Sequence, residues 1–569
     1  MVHLELPLLP AVANSLWWLL SWPESRRFHL ATQDVAATQS RVLEARLRQN
    51  AGTVFGRTHS FAHIRSSDEY RRRVPLSISD DYAQVIGRIG DGDAGLLTSE
   101  PVRRLEPTSG STAATKLIPY TASLQAEFQA AIAAWIADAF RHMPALIAGT
   151  AYWSLSPVAR RNERTPGGIP VGFNQDSEYL GGVQRRLVDA VMAVPSAVRL
   201  IDDMATFRYM TLLFLLRSRN LRLVSVWNPT FLLLLLDALP GSARQLAEDI
   251  ARGTLSPPGP LAPDLRARFA ALNRADARRG QEIGAAISAS ATPAKLHARL
   301  WPHLRLISCW ADANAMPYAA ALYQQFPNVV IQPKGLVATE AFVSLPLAGH
   351  DGAALAVRSH FFEFAPVGDD PCTEVDGQAS TKLAHELDVG AHYSVIVTTG
   401  GGLYRYRLHD LVRVTGKVAE CPLLRFVGKE AMVVDHFGEK LNERHVSTAC
   451  AQARAAHGIS PTFCLVAFDR DARPPAYTLF IEAEVSPALL QAMGRSLEER
   501  LLDNYHYRYC RELGQLGPLR LFHIQSRGLQ TYIDHCAAHG QRAGDVKPLA
   551  LHRLDDWATA FHGEYLTGD

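Results

Sequence analysis

Four stretches of this chain set hydroxyl, carboxylate and amine groups where a phosphate could be bound. The first is Thr108-Ser109-Gly110-Ser111-Thr112-Ala113-Ala114-Thr115-Lys116. Small hydroxyl residues around a glycine let backbone N–H groups and hydroxyls wrap a phosphate. It is not a Walker A loop, because Thr115 precedes Lys116 and Leu117 follows it. Taken alone, such a loop is more often a polar turn capping the next helix. The second is Gly335-Leu-Val-Ala-Thr339-Glu340, after an expected strand over 329–332. A hydroxyl beside a carboxylate at a strand exit can hold a phosphate oxygen and a metal ion together. The third runs Thr398-Thr-Gly-Gly-Gly-Leu-Tyr-Arg-Tyr-Arg-Leu-His-Asp410. A carboxylate ending an aromatic-rich strand suits a grip on ribose hydroxyls, and the glycines permit close backbone approach. GxGxxG is absent, so a Rossmann dehydrogenase is not supported. The fourth pairs Phe426-Val-Gly-Lys-Glu430 with Gly438-Glu-Lys440-Leu-Asn-Glu443. Glycine followed by charge at a domain border reads as a hinge, and Lys440 can reach a phosphate near a cleft.

Positioning these groups takes an α/β scaffold. Residues 24–50 and 123–141 read as helices, the latter rich in Ala and periodic in Phe, Ile and Trp. Residues 160–182 are loop-like, 183–222 helical, and 221–227 a buried strand. From 303 onward strands alternate with helices (304–309, 315–326, 329–332), which favours an α/β sheet. After about 428 the order changes to β-α-β-β-α, suggesting a smaller, separate α+β domain. The apolar stretch 11–22 is too short to span a bilayer and lacks a signal peptide's flanks, so it reads as a buried or partly buried helix. The run 231–236 reads as core or pocket wall.

Composition sets outer limits. Lys and Arg number 58 against 56 Asp and Glu in 569 residues, a net charge of +2 that argues against a bulk nucleic-acid grip. Seven scattered cysteines without CxxC argue against a disulfide or zinc framework, and a reducing, cytoplasmic home is the default. His535 and His539 stand at i,i+4, yet HExxH is absent and no further ligand is evident, so surface or structural histidines are the favoured reading. No GxSxG elbow supports an α/β-hydrolase.

The four stretches, in that order, resemble the adenylate-forming superfamily. Finer motifs bring the match closer: Leu105-Glu-Pro-Thr-Ser-Gly-Ser-Thr, Lys116-Leu-Ile-Pro-Tyr-Thr121, Phe361-Phe-Glu-Phe364, Gly402-Leu-Tyr-Arg-Tyr-Arg407 and Asn504-Tyr-His-Tyr-Arg-Tyr-Cys-Arg-Glu-Leu-Gly514. These resemble the auxin-responsive Gretchen Hagen family of acyl acid amido synthetases, over about Phe55 to Leu549. The resemblance implies an N-terminal adenylation domain over 1–427 and a mobile cap over 428–569. It implies that ATP and a carboxylic acid form an acyl-adenylate, which an amine, expected to be an amino acid, converts to an amide. By similarity, Ser109, Gly110, Ser111 and Thr112 hold the phosphates, and Thr339 contacts the α-phosphate or acyl carboxylate. Glu340 binds Mg²⁺, Asp410 holds the ribose, and Lys440 reaches the α-phosphate from the cap. Lys547, in Val546-Lys-Pro548, matches a late lysine that can swing into the cleft.

Three departures stand out. Leu336 occupies a position where an aromatic ring often stacks on adenine, His409 replaces the usual glycine before the aspartate, and Lys429 replaces the usual Arg or Asp hinge residue. Acyl-pocket candidates are Phe128 and Trp135, Val171 to Phe173, and Trp227 to Phe231, each read against plain core packing. The expected protein is a monomeric ligase with no membrane or nucleic-acid partner. The alternatives are a ligase passing the acyl group to CoA or a carrier thiol, and a non-catalytic nucleotide-binding protein.

Overall fold

The computed structural model describes residues 9–108, 116–154, 163–172, 182–367, 381–430, 433–541 and 546–566. The loop residues Ser109, Gly110, Ser111 and Thr112, and Phe173, lie outside them.

The chain opens with two helices, Leu9–Ala31 and Val35–Asn50, split where the Asp34 carboxylate accepts a hydrogen bond from Ala37 N at 3.0 Å. The apolar 11–22 stretch lies in the first, as expected. Trp17 is 1% exposed and packs on Phe140 and Trp153 at 6.0 and 5.9 Å, while Leu19, Leu20 and Trp22 face outward. The long helix Ala122–His142 is capped by Thr121 and buries most of its length against both sheets' core. Its Ala-rich sequence lets neighbouring elements approach closely.

Four parallel strands form one sheet in the order Thr150–Trp153, Leu221–Ser225, Leu306–Cys309, Val330–Pro333. All four residues of Leu306–Cys309 are buried, as a parallel strand covered on both faces requires. The helices Met204–Arg217, Pro229–Asp237, Leu239–Arg252, Ala277–Ala289 and Met316–Gln325 cover it and share an apolar core built on Leu212, Leu216, Ile250, Phe269 and Ile307. The 231–236 run is wall in that core, with Leu232, Leu233, Leu235 and Leu236 buried.

The expected alternation of strands and helices holds only as far as Pro333. Beyond it lies a seven-stranded antiparallel sheet in the order Lys382–Leu383, Phe361–Val367, His392–Thr398, Tyr406–Val418, Cys421–Lys429, Ala353–Leu355, Ser344–Pro346. Antiparallel neighbours need no helical crossover, so a continuous apolar texture there hid a different sheet type. A separate hairpin, Arg104–Pro107 with Leu117–Tyr120, carries the hydroxyl-rich loop at its end, where Thr108 N donates to Lys116 O at 2.8 Å. A strand, not a helix, therefore follows that loop directly.

The expected β-α-β-β-α order appears with one addition: Val433–Val434 pairs with a second short strand, Leu441–Asn442, before Glu443–His457, Phe463–Asp469, Ala476–Glu482 and Pro487–Leu501. A mixed five-stranded sheet there runs Leu551–His552, Phe463–Asp469, Ala476–Glu482, Arg520–Ile524, Gly563–Tyr565. Two apolar clusters of its own flank this sheet. Contacts with the rest of the chain include Arg208 donating to Gln530 Oε1 at 2.7 Å and Asn228 Nδ2 donating to Val546 O at 3.1 Å. No described helix is long and apolar enough to cross a membrane.

Candidate active site

Thr339 and Glu340 form the tip of a tight turn. Val337 bridges to Phe342, and Ala338 N donates to Ala341 O at 2.9 Å. The turn thus presents a hydroxyl and a carboxylate side by side, just past the last parallel strand, where ligands of open α/β sheets gather. Tyr406 and Asp410 lie on one strand, which bulges between them at the left-handed His409. The Tyr406 hydroxyl, pushed well up by burial and by Glu340, stays protonated and donates to Glu340 Oε1 at 3.4 Å. Asp410 is 5% exposed, and its strand register sets it opposite Lys429, whose Nζ lies 3.6 Å from Asp410 Oδ1.

Electrostatics tie these groups into one cluster. Burial raises the Glu340 carboxyl above its ordinary range, Lys429 opposes that shift, and Asp410 adds to it. Lys429 is pushed up in turn, first by Asp410 and then, against its own desolvation, by Glu340, so it stays charged. Lys429 is therefore coupled electrostatically to both carboxylates. His409 explains why a glycine is usual at its position: its backbone sits at φ 58°, the left-handed region. Its ring is held by Glu430, with Nδ1 2.9 Å from Oε2, and Arg407 reaches the same oxygen at 3.0 Å. Leu336, at the expected adenine-stacking position, is buried core and offers no open face.

The two lysines sit differently. Lys440 is exposed on a loop of the smaller domain at φ 42°, and no hydrogen bond or ion pair joins it to Glu340 or Asp410 among the described residues. The loop itself is firmly held. The buried Glu439 carboxylate accepts from Phe437 N at 2.8 Å and from the Tyr477 hydroxyl at 2.7 Å. Asn504, which caps the helix Tyr505–Glu512, donates to Lys440 O at 3.4 Å. Lys547 instead reaches the body: its Nζ stands 4.7 Å from the Trp310 ring centre, just beyond the strand Leu306–Cys309. Tyr532 and Asn228 hold the backbone on either side of it, through Lys547 O at 3.1 Å and Val546 O.

Several site-supporting residues escaped the sequence reading. Glu127, buried on the long helix, meets Arg46 Nε at 2.9 Å and His360 Nδ1 at 2.9 Å, and accepts from Gly400 N at 2.9 Å. His360 Nε2 then accepts from Phe342 N at 3.0 Å, so the chain of contacts ends at the Thr339–Glu340 turn. Nothing in a helical repeat marks one glutamate as such a hub. The glycines 400–402 serve this packing: a Cβ on Gly400 would stand 2.7 Å from Ser123, and Gly402 has φ 91°. Glu127→Ala leaves Arg46 and His360 without their buried anion. A loss of about 3 kcal/mol in denaturant unfolding is expected, with reduced turnover as the turn loosens.

Of the acyl-pocket candidates, Phe128 is plain core, packed on Phe342 and His360. Trp135 and Trp227 are different, because the Lys334 Nζ lies 5.5 and 5.3 Å from their ring centres and donates to Ser225 Oγ at 2.6 Å. Phe231 is half-buried against Phe207. Asp312, next to this region, sits by Arg425 and Phe426 N, and burial pushes its carboxyl up to about 6. The folded protein therefore holds a proton there that the unfolded chain releases near 4, and stability falls as pH rises between those values. Asp312→Asn removes the cost, so its thermal stability gain over the parent should grow from pH 4 to pH 7, reaching about 1–3 kcal/mol.

Known structures share this fold. The chain superposes with TM-score 0.80 on the protein described as "AtGH3.15 acyl acid amido synthetase in complex with 2,4-DB", 19% identical, covering 98% of this chain and 97% of that one. The fold is thus that of the acyl acid amido synthetases, AMP-forming ligases that make amide bonds. The chain belongs to the GH3 family: residues 24–331 match the GH3 family N-terminal domain, 353–429 its central domain and 443–553 its C-terminal domain. Similar sequences include a rice "Probable indole-3-acetic acid-amido synthetase GH3.12", 26% identical over 91% of this chain and 92% of the rice protein. Another is the Arabidopsis thaliana "Indole-3-acetic acid-amido synthetase GH3.17", 24% identical over 91% of both.

Proposed function

We propose that this chain adenylates a carboxylic acid with ATP and passes the acyl group to an amine, in all expectation of the family an amino acid. The observation that carries the reading is the joining of Thr339, Glu340, Tyr406, Asp410 and Lys429 into one cluster at a parallel-sheet exit. The body over 1–427 carries this cluster, and the cap over 428–569 carries Lys440 and Lys547.

In the first half-reaction the acid's carboxylate oxygen attacks the α-phosphorus, and the bond to the β-phosphate oxygen breaks, releasing pyrophosphate. In the second, the amine nitrogen attacks the acyl carbon, AMP leaves with the bonding electrons, and the amine loses a proton. Asp410 holds the ribose hydroxyls, and the hairpin loop with Ser109, Gly110, Ser111 and Thr112 cradles the phosphates. Lys547 approaches the developing charge from the cap, and Lys440 takes that place if the cap rotates. Glu340 and Thr339 offer oxygen donors that suit a hard divalent cation, and the raised, half-buried carboxyl of Glu340 is relieved by such a charge. Mg²⁺, when bound there, neutralises phosphate charge. Every other contribution is positioning by the chain's own groups.

The test is a panel of carboxylic acids assayed for acid-dependent pyrophosphate release, followed by an amine panel with mass detection. An amide product with amino acids supports the reading. A thioester formed with CoA, with no amide, overturns it.

A further inference from the structure

Outside the adenylation cluster, the fold supplies a ligand that i,i+4 spacing alone does not reveal. His535 lies in the last turn of the helix Gly528–Ala538, and His539 is its C-cap. Their rings stand 4.5 Å apart between centres. Asp556, from a distant loop, brings Oδ1 to 2.9 Å from His535 Nε2. One nitrogen of each histidine and one oxygen of Asp556 lie within 4.8 Å of one another. We propose that His535, His539 and Asp556 form a binding site for a borderline transition-metal cation, Zn²⁺ foremost.

The donor set argues for this class of ion. Two imidazoles and one carboxylate suit Zn²⁺, Co²⁺ or Ni²⁺, whereas Mg²⁺ prefers oxygen ligands. The protonation pattern fits as well. His539 Nδ1 lies 2.9 Å from the carbonyl oxygen of His535, to which it donates, leaving Nε2 its lone pair for a metal. His535 is held edgewise by Trp557, whose ring centre is 4.6 Å away, so its direction is set before any ion arrives. His539 is exposed and can move the short distance that a bond of about 2.1 Å demands.

The site's place in the chain gives it a consequence. Its ligands stand at 535–539 and at 556, and the segment between them includes Val546-Lys547-Pro548. Tyr532, on the same helix as His535, already holds Lys547 O at 3.1 Å. A metal at the three ligands closes the base of the segment that carries Lys547, as a clip closes a loop.

The test uses the full chain without a polyhistidine tag, freed of metal by chelation and held in millimolar Mg²⁺. Zn²⁺ titration by calorimetry, and Co²⁺ titration by visible absorption, should show one equivalent bound with micromolar affinity. His539→Ala and Asp556→Asn should each weaken binding by at least about 10-fold, with unchanged circular dichroism. His539 is exposed, so its variant tests the site without disturbing the Trp557 contact. Limited proteolysis between 540 and 555 should slow with Zn²⁺ in the parent and not in His539→Ala. Binding that these variants leave unchanged, or no binding below millimolar Zn²⁺, overturns the proposal.

Discussion

Glu340→Ala is expected to abolish acid-dependent pyrophosphate release, by on the order of 10³-fold, without lowering stability. The two halves of this result have one cause. Burial holds the Glu340 carboxyl above its ordinary range, so its charged form costs the folded state something at neutral pH. Its one side-chain hydrogen bond among the described residues, from Tyr406, is long at 3.4 Å. Removing the carboxylate therefore leaves the thermal midpoint at pH 7 unchanged or slightly raised. The same raised value fixes the direction of the pH profile. As pH falls, Glu340 of the metal-free chain gains its proton earlier than a free carboxyl does, so turnover at limiting Mg²⁺ declines from above the usual carboxylate range. Parallel assays of pyrophosphate release and thermal unfolding check both halves. Unchanged turnover sinks the role given to Glu340, and a large loss of stability would mean that it serves the fold.

Lys547→Ala separates the half-reactions. Lys547 reaches over Trp310 at the parallel-sheet exit, whereas Lys440 is exposed on the cap with no contact to the site carboxylates among the described residues. Under the proposed function, this arrangement would serve the step in which charge builds on the α-phosphorus. Loss of Lys547 should slow acid-dependent pyrophosphate release about 10²–10³-fold, the usual effect of removing one preorganised donor. Transfer from a chemically prepared acyl-adenylate to an amine should be slowed far less. Equal slowing of both steps, or a first step suppressed only by Lys440→Ala, would reverse the assignment.

The shared motifs divide into two kinds once the fold is in view. Thr339 and Glu340 share one turn, and Glu340 lies in the field of Asp410. Phe361-Phe-Glu-Phe364 and Gly402-Leu-Tyr-Arg-Tyr-Arg407 are largely scaffold. Glu363 and Arg405 form a buried two-pronged ion pair at 2.9 and 3.0 Å, with Thr381 Oγ1 donating to Glu363 at 2.7 Å. Arg405 also donates to Val74 O at 2.8 Å, fastening an N-terminal helix to the antiparallel sheet. The Asn504–Gly514 motif likewise holds the Lys440 loop from behind. One-dimensional matching weighs both kinds alike, because burying a charge and presenting a charge demand equally strict residue identity.

What the sequence determined by itself was local and periodic. The long helix, the parallel strands Leu221–Ser225, Leu306–Cys309 and Val330–Pro333, and the elements of the smaller domain apart from the short strand Leu441–Asn442 follow from hydrophobic period and capping, which neighbours in sequence specify. The order of motifs was enough to reach the family and the adenylating chemistry. The tertiary structure alone decided that Glu127 and His360 brace the Thr339–Glu340 turn, that Lys429 sits by Asp410 and in the field of Glu340, and that Asp556 comes beside His535 and His539. Most of these contacts join residues far apart in the chain, as Glu127 and His360 are. Their partners are fixed by sheet register and by which loops converge, and no periodicity along the chain encodes either.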